Sequence, residues 1–331
     1  MPEATRPTTQ DLVPFIYAPI QEDLDSVVAN LRRLAGQSEL SDGLMEQALG
    51  GGGGKKVRPV VTLLAGSFRP CDRGVLVTMA TAVELLHIAT LIHDDTVDKA
   101  DTRRGRATVS SLWGNDVAVL LGDYVFATSA TFVCDTGNIA VMRRFAETIM
   151  ELAQGELAEH FSTHDWTQTV EDYSVRIYNK TASLFCTAAE AGSVLSGAPT
   201  EESQALKEYG HNLGMAFQIM DDVLDFLGTE EELGKPVGND LLQGVLTLPT
   251  LLYARRHPNE PVLGRLRDGS HEPEDLQSMV DRVRGSSAVD EAIIAMDRYR
   301  EGARNSLRRL ANTRHRESLE ALTDYVAQRR S

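Results

Sequence analysis

Two short acidic runs carry the chemistry this chain could do. Asp94-Asp95-Thr96-Val97-Asp98 closes an apolar helical stretch that begins near Val83, and Asp221-Asp222-Val223-Leu224-Asp225 closes a second one through Phe217-Gln218-Ile219-Met220. In a helix, residues at i and i+4 share a face, so Asp94 and Asp98 stand together with Asp95 one step round, and the second run repeats the arrangement. Carboxylates are favoured at helix N-termini, yet these sit at C-terminal ends, where like charges four apart also repel by a few tenths of a kcal/mol. A cation therefore belongs on them. Arg103, Arg104 and Arg106 follow the first run, but an arginine bridge satisfies one carboxylate and does not call for three. Magnesium suits the pattern, because it takes one or two carboxylates per ion, keeps waters and shares its remaining positions with substrate phosphates. A solvated acidic helix end would explain one such run; two, each with basic residues near it, it does not.

The elements that must position these runs read as helices throughout. Ile20, Leu24, Val27, Val28, Leu31 and Leu34 recur at helical spacing between Pro19 and about Leu34, after a loose arm over residues 1 to about 10. Further helices are predicted at about 56–68, 73–98, 111–134, 139–162, 169–195, 199–227, 241–256, 274–284, 287–312 and 315–329. No strand-period alternation is visible and no boundary divides the chain. The expectation is one all-α domain over residues 1–331, a helical bundle around a central deep cavity.

Between the helices lie segments suited to anions. Gly50 to Gly54 followed by Lys55-Lys56-Val57-Arg58-Pro59 offers bare amides beside cations, which is what a phosphate site needs. Lys180, in Tyr178-Asn179-Lys180-Thr181, is a polar interruption of an apolar helix; on its own it could simply snorkel to solvent. Glu230 to Asp240 forms an acidic loop punctuated by Gly and Pro, suited to a lid.

Composition narrows the partners. The 331 residues carry a formal net charge of −15, which disfavours nucleic acid and anionic membrane surfaces. Cys71, Cys134 and Cys186 are odd in number and far apart, as expected of reduced thiols in a cytoplasmic protein. The N-terminus shows neither a signal peptide nor a transmembrane segment.

Taken in order, Gly53-Gly54-Lys55-Lys56-Val57-Arg58-Pro59, His87 before Asp94-Asp95-Thr96-Val97-Asp98, Arg103-Arg104-Gly105, Lys180-Thr181, Gln218 with Asp221-Asp222-Val223-Leu224-Asp225, and Gly234-Lys235 with Asn239-Asp240 resemble the trans-isoprenyl diphosphate synthases. The resemblance spans about residues 50 to 250. It implies a homodimer that condenses isopentenyl diphosphate head-to-tail with an allylic prenyl diphosphate, using Mg2+, three ions per active site. It makes Asp94, Asp98 and Asp221 direct metal ligands, with Asp95, Asp222, Asp225 and Asp240 as further ligands or holders of coordinated water. It gives Arg103, Lys180 and Lys235 to the allylic diphosphate, with Thr181 and Gln218 nearby, and Lys55, Arg58, His87 and Arg104 to isopentenyl diphosphate. His87 lies two helical turns before Asp94, hence on the same face, although a lone histidine on an apolar face is more often a satisfied core residue.

Product length should be set along the apolar side of the Val83–Asp98 helix. Ala89 and Thr90, five and four residues before Asp94, lie about 6–7 Å down that wall, and both are small where short-chain members tend to carry aromatic floors. Leu86, Val83, Phe126 and Phe132 are deeper candidates. The wording His-Ile-Ala-Thr-Leu-Ile-His-Asp-Asp resembles medium- and long-chain synthases, so six or more isoprene units are expected, with geranylgeranyl diphosphate as the alternative. One departure is Val245, where the family often has lysine. A terpene cyclase would share the bundle and one aspartate motif but has little use for the Gly-Lys-Arg loop or a second complete run. A noncatalytic partner subunit should have lost aspartates from one run, and a plain acidic, divalent-ion-binding helical protein would not need the basic residues.

Overall fold

Apolar residues recur every three to four positions from Leu12 onward, and each such stretch buries its stripe against a neighbour. A computed structural model describes residues 9–37, 43–49, 55–103, 105–229 and 236–328. In chain order the helices are α1 (Thr9–Tyr17), α2 (Gln21–Gln37), α3 (Leu44–Leu49), α4 (Val57–Gly66), α5 (Arg73–Val97), α6 (Val109–Trp113), α7 (Asn115–Asp135), α8 (Ile139–Phe161), α9 (Val170–Ile177), a π-helical turn (Tyr178–Ala182), α10 (Ser183–Leu195), α11 (Thr200–Leu227), α12 (Asn239–Leu242), α13 (Leu248–Arg256), α14 (Pro261–Arg267), α15 (Pro273–Arg284), α16 (Ala288–Leu307) and α17 (Arg314–Ala327). The fold is all-α.

Two helices carry the acidic runs and organise the rest. Helix α5 starts where the Asp72 carboxylate accepts from the Gly74 amide at 2.8 Å, and it runs 25 residues. It is apolar nearly all round, with Met79, Ala80, Val83, Leu85 and Leu86 at most 1% exposed, and it packs against α2, α4, α7 and α10. Burying each such side chain stabilises the fold by about 1.5–3 kcal/mol. Helix α11 spans two core clusters. Its first half places Leu206, Tyr209 and Leu213 in one with α4, α5 and α10, and its second half places Ile219, Val223 and Phe226 in the other with α13 to α16. Phe226→Ala, at the foot of the second run, would remove one of the largest fully buried side chains, at a cost of about 3–5 kcal/mol.

Several expectations need correction. Helix α1 begins at Thr9, within the stretch read as an arm, residues 1–8 lie outside the described residues, and the short helices α1, α3 and α14 were not expected. The helix expected over 111–134 is two, broken at Gly114, whose φ of +88° an L-residue rarely adopts. The one expected over 241–256 is also two, α12 and α13, separated by a non-helical stretch. Thr102–Arg103 pairs antiparallel with Arg106–Ala107, a ladder too short to leave any alternation in the sequence. Helices α5 and α7 have the length and composition of a membrane span, a test that buried core helices also pass, and two-thirds of the apolar window of α5 is buried.

Candidate active site

Helix α5 ends at Val97 with Asp98 as its capping residue, and the π turn interrupts the path from α9 to α10 at Lys180-Thr181. Such π turns concentrate where a chain must aim a side chain out of register. Gly155 on α8 allows the close approach. A Cβ there would lie 2.6 Å from the backbone N of Lys180, so α8 and the π turn meet backbone to backbone. As a result the Lys180 Nζ reaches Glu156 Oε2 at 3.0 Å and Glu159 Oε1 at 2.5 Å.

These charges form one acidic field. Burial raises Asp94 to about 7, helped by repulsion from Glu156 and opposed by Lys180 and Arg103. Asp95, Asp98 and Glu156 are raised by the same desolvation. Asp95 Oδ1 accepts from Arg103 Nε at 2.6 Å, which places the start of the two-residue ladder beside the first run. Burial alone would lower the Lys180 ammonium, but Glu159 and Glu156 outweigh it and the net shift is upward, so the lysine stays charged.

The second run is linked to the first by one shared charge and a short chain of hydrogen bonds. Asp240 is the link, because its charge raises both Asp98 of the first run and Asp222 of the second. Burial is the largest cause lifting Asp222, to about 8, followed by Asp240. Asp222 Oδ1 accepts from Gln218 Nε2 at 2.8 Å, and Gln218 Oε1 accepts from Thr181 Oγ1 at 2.7 Å, tying the π turn to α11. Asp222 Oδ2 accepts from the buried Tyr173 hydroxyl at 2.6 Å. Asp225 Oδ2 accepts from the Asp240 amide at 3.2 Å, which ties the loop before α12 to the end of α11, and Asp221 stands half-buried beside Asp222.

The predicted basic group lies at the start of α4. The buried Lys56–Glu84 ion pair, 3.0 Å, sets that start one turn from His87 on α5. Lys55 Nζ lies 5.1 Å over the Tyr325 ring of α17, and Arg58 Cζ lies 4.7 Å over the Phe185 ring. Both are in cation–π range, and both aromatic partners are buried in the core. His87 is half-buried. Ala89 is 1% exposed, and Thr90, half-buried, donates its hydroxyl to the His87 carbonyl at 2.8 Å. Arg104, Lys235, the glycine run 50–54 and most of the expected lid, residues 230–235, lie outside the described residues.

Four residues of this site escaped the sequence reading. Glu156 and Glu159 are spaced i, i+3 on the polar face of α8, and the mid-helix Gly155 was the available signal that another backbone presses there. Tyr173 and Arg176 had no signal, since a tyrosine and an arginine three apart look like any amphipathic turn. Arg176, 4% exposed, donates to Gln168 Oε1 and to the Leu246 carbonyl, each at 2.6 Å.

The donor set fits a hard divalent cation. Asp94, Asp95, Asp98, Glu156 and Asp222 are raised first by burial and then, except where Lys180 and Arg103 oppose it, by one another's and Asp240's negative charge, so a divalent cation would relieve the cost of ionising them. Among the described residues no group of three or more His, Cys, Asp and Glu makes a ready-made metal cage.

The polyprenyl synthetase family profile matches residues 42–283. Heptaprenyl diphosphate synthase component 2 of Geobacillus stearothermophilus is 38% identical over 318 residues, covering 95% of this chain and 98% of that one. The crystal structure of heptaprenyl diphosphate synthase from Staphylococcus aureus superposes with a TM-score of 0.88 at 33% identity, over 94% of this chain and 98% of that one. A polyprenyl synthase from Caulobacter crescentus CB15, complexed with calcium and isoprenyl diphosphate, superposes with a TM-score of 0.86 at 33% identity, over 96% and 98%. This chain belongs to the polyprenyl synthetase family.

Proposed function

We propose that the chain is a magnesium-dependent prenyltransferase that condenses isopentenyl diphosphate head-to-tail with an allylic prenyl diphosphate, giving an all-trans polyprenyl diphosphate of six or more isoprene units. The observation that carries this reading is that Lys180 sits among the charges of the first run while Gln218 ties Asp222 of the second run to Thr181 on the same π turn, with Asp240 acting on both Asp98 and Asp222. Asp94, Asp98 and Asp221 are the proposed direct ligands of up to three ions, with Asp95, Asp222, Asp225 and Asp240 supporting them. When bound, the metal would act as a Lewis acid on the leaving diphosphate. Lys180 and Arg103 hold that diphosphate and stabilise its growing charge, with Thr181 and Gln218 fixing the geometry and Lys235 joining them by resemblance. Each contact made mainly in the transition state is worth about 3–4 kcal/mol. Lys55, Arg58, His87 and Arg104 hold isopentenyl diphosphate with its double bond at attacking distance. The tail grows along Ala89 and Thr90, and the apolar wall keeps water from the allylic cation. The released diphosphate takes the proton, so no protein nucleophile is needed.

Length is the finer part of the proposal. It rests on the small Ala89 and on relatives named heptaprenyl, octaprenyl and decaprenyl diphosphate synthases. Geranylgeranyl diphosphate is the second reading, because structures of geranylgeranyl pyrophosphate synthases also superpose with a TM-score of 0.85. Incubating the isolated chain with isopentenyl and farnesyl diphosphates and Mg2+, then chromatographing the dephosphorylated lipids, tests both. A ladder reaching six units or beyond is expected, a stop at four favours the second reading, and no elongation rejects the synthase proposal for the isolated chain.

A homodimer is part of the same reading. Val119, Leu120 and Tyr124 on α7, with Ile139, Leu157 and Phe161 on α8, are exposed apolar side chains on successive helices that a second copy would cover. Light scattering should give twice the chain mass. The free thiols, with Cys134 exposed, suit a reducing compartment, hence the cytoplasm.

A further inference from the structure

We propose that Tyr173 is a positioning residue for the second aspartate run: its buried hydroxyl fixes Asp222 and thereby sets the affinity of that run for its divalent cation. This rests on the reading of the site as a metal–diphosphate centre.

Asp222 is 3% exposed, and both of its oxygens accept hydrogen bonds from neutral donors behind it, Oδ1 from Gln218 Nε2 at 2.8 Å and Oδ2 from the Tyr173 hydroxyl at 2.6 Å. A carboxylate offers about four lone-pair positions. Two donors therefore fix its plane and leave the remaining lone pairs for a coordinated water or the ion. Gln218 is itself held by Thr181 on the π turn, so that side of the carboxylate follows the Lys180 segment. Tyr173 anchors the other side to α9, an element that carries none of the predicted site residues.

The tyrosine is itself locked. Its ring is 1% exposed, and the Arg176 guanidinium lies 5.7 Å from its centroid. Arg176 in turn grips the Leu246 carbonyl, next to Val245, whose amide donates to the Asp240 carbonyl at 2.8 Å. One turn of α9 thus holds Asp222 through Tyr173 and, through Arg176, the segment that follows α12 and bonds back to Asp240. Partners that orient metal-binding groups from behind typically change metal affinity by about 10–100-fold when removed. A tyrosine that merely satisfies its own hydroxyl in the core would leave metal binding unchanged.

Binding of Mn2+ in the presence of inorganic pyrophosphate, read by electron paramagnetic resonance, separates the two. Tyr173→Phe keeps the ring and removes only the donor; its half-saturating Mn2+ concentration should rise about tenfold or more. The same deletion in an Asp222→Asn background should produce no further rise. Tyr209→Phe, at a fully buried tyrosine whose hydroxyl donates to the Leu319 carbonyl away from the aspartates, should bind Mn2+ as the parent does. Unchanged Mn2+ affinity in Tyr173→Phe, or an equal rise with and without Asp222, would overturn the proposal. If Tyr173→Phe does not fold, Arg176→Lys, which keeps the charge but loosens the ring, should raise half-saturation in the same direction, and no rise would overturn it. A parent enzyme that failed to bind Mn2+ with pyrophosphate would instead count against the metal–diphosphate reading itself.

Discussion

Lys180→Met removes the ammonium that pairs with Glu156 and Glu159 and lowers Asp94 and Asp98. The two ion pairs measure 3.0 and 2.5 Å, and at an effective dielectric near 20 each attraction is about 5–7 kcal/mol before desolvation is subtracted. Deleting one partner of a buried pair costs about 3–5 kcal/mol. Glu156 is 39% exposed, so screening brings the cost below that range, to about 2–3 kcal/mol at pH 8 without metal. In a chain of this size that lowers Tm by roughly 3–4 °C. The sign of the pH dependence follows from the same groups. Lysine is a lowering influence on Asp94, Asp98 and Glu156, so its loss raises all three further. Carboxyls raised in the folded state stabilise it at low pH and lose that contribution as pH rises. The deficit should accordingly be smaller at pH 6 than at pH 8. Catalysis should fall by about 10²–10³, the cost of one contact to developing charge. Calorimetry at both pH values and steady-state condensation rates check this. A Tm within about 2 °C of the parent at pH 8, or a rate within tenfold, would refute the role given to Lys180.

Other outcomes follow from the same geometry. Asp222 at about 8 and Asp94 at about 7 take up protons in the folded chain that the unfolded chain releases near its ordinary carboxyl range, so metal-free stability should fall as pH rises from about 4 to 8. Mg2+ with pyrophosphate should then raise Tm more at pH 8 than at pH 6, and an equal rise at both would contradict the link. Gly155→Ala would press a methyl against the Lys180 backbone, costing about 1–3 kcal/mol and slowing turnover by displacing the ammonium; an unperturbed rate would mean that α8 and the π turn have room to spare. Ala89→Phe should shorten the product while turnover persists, as read by lipid chromatography, and unchanged lengths would mean that the wall lies elsewhere.

The residues legible from sequence were those whose chemistry repeats at short range. Asp94 and Asp98 share a face whatever the surroundings, and Asp221 to Asp225 repeat the pattern, so metal chemistry could be read without a fold. Glu156 and Glu159 could not be found this way. Their role comes from α8 crossing the π turn at Gly155, and neither the crossing nor the π turn leaves a periodic trace. Tyr173 and Arg176 matter through Asp222 and Leu246, 49 and 70 residues away in sequence. The helix bearing the first run was placed to within a residue at each end, because its apolar content and its Asp72 cap are local. The break at Gly114 was missed because one glycine between apolar runs is tolerated inside a helix as readily as at its end.

The most direct test of the central claim, that two distant aspartate runs serve one metal–diphosphate centre, is a double-mutant cycle on Mn2+ affinity with pyrophosphate, using Asp94→Asn, Asp221→Asn and the pair. Runs that share the centre should couple by about 1 kcal/mol or more, the second substitution costing far less once the first is made. Additivity within about 0.5 kcal/mol would mean that the runs bind cations independently, and the account would fail.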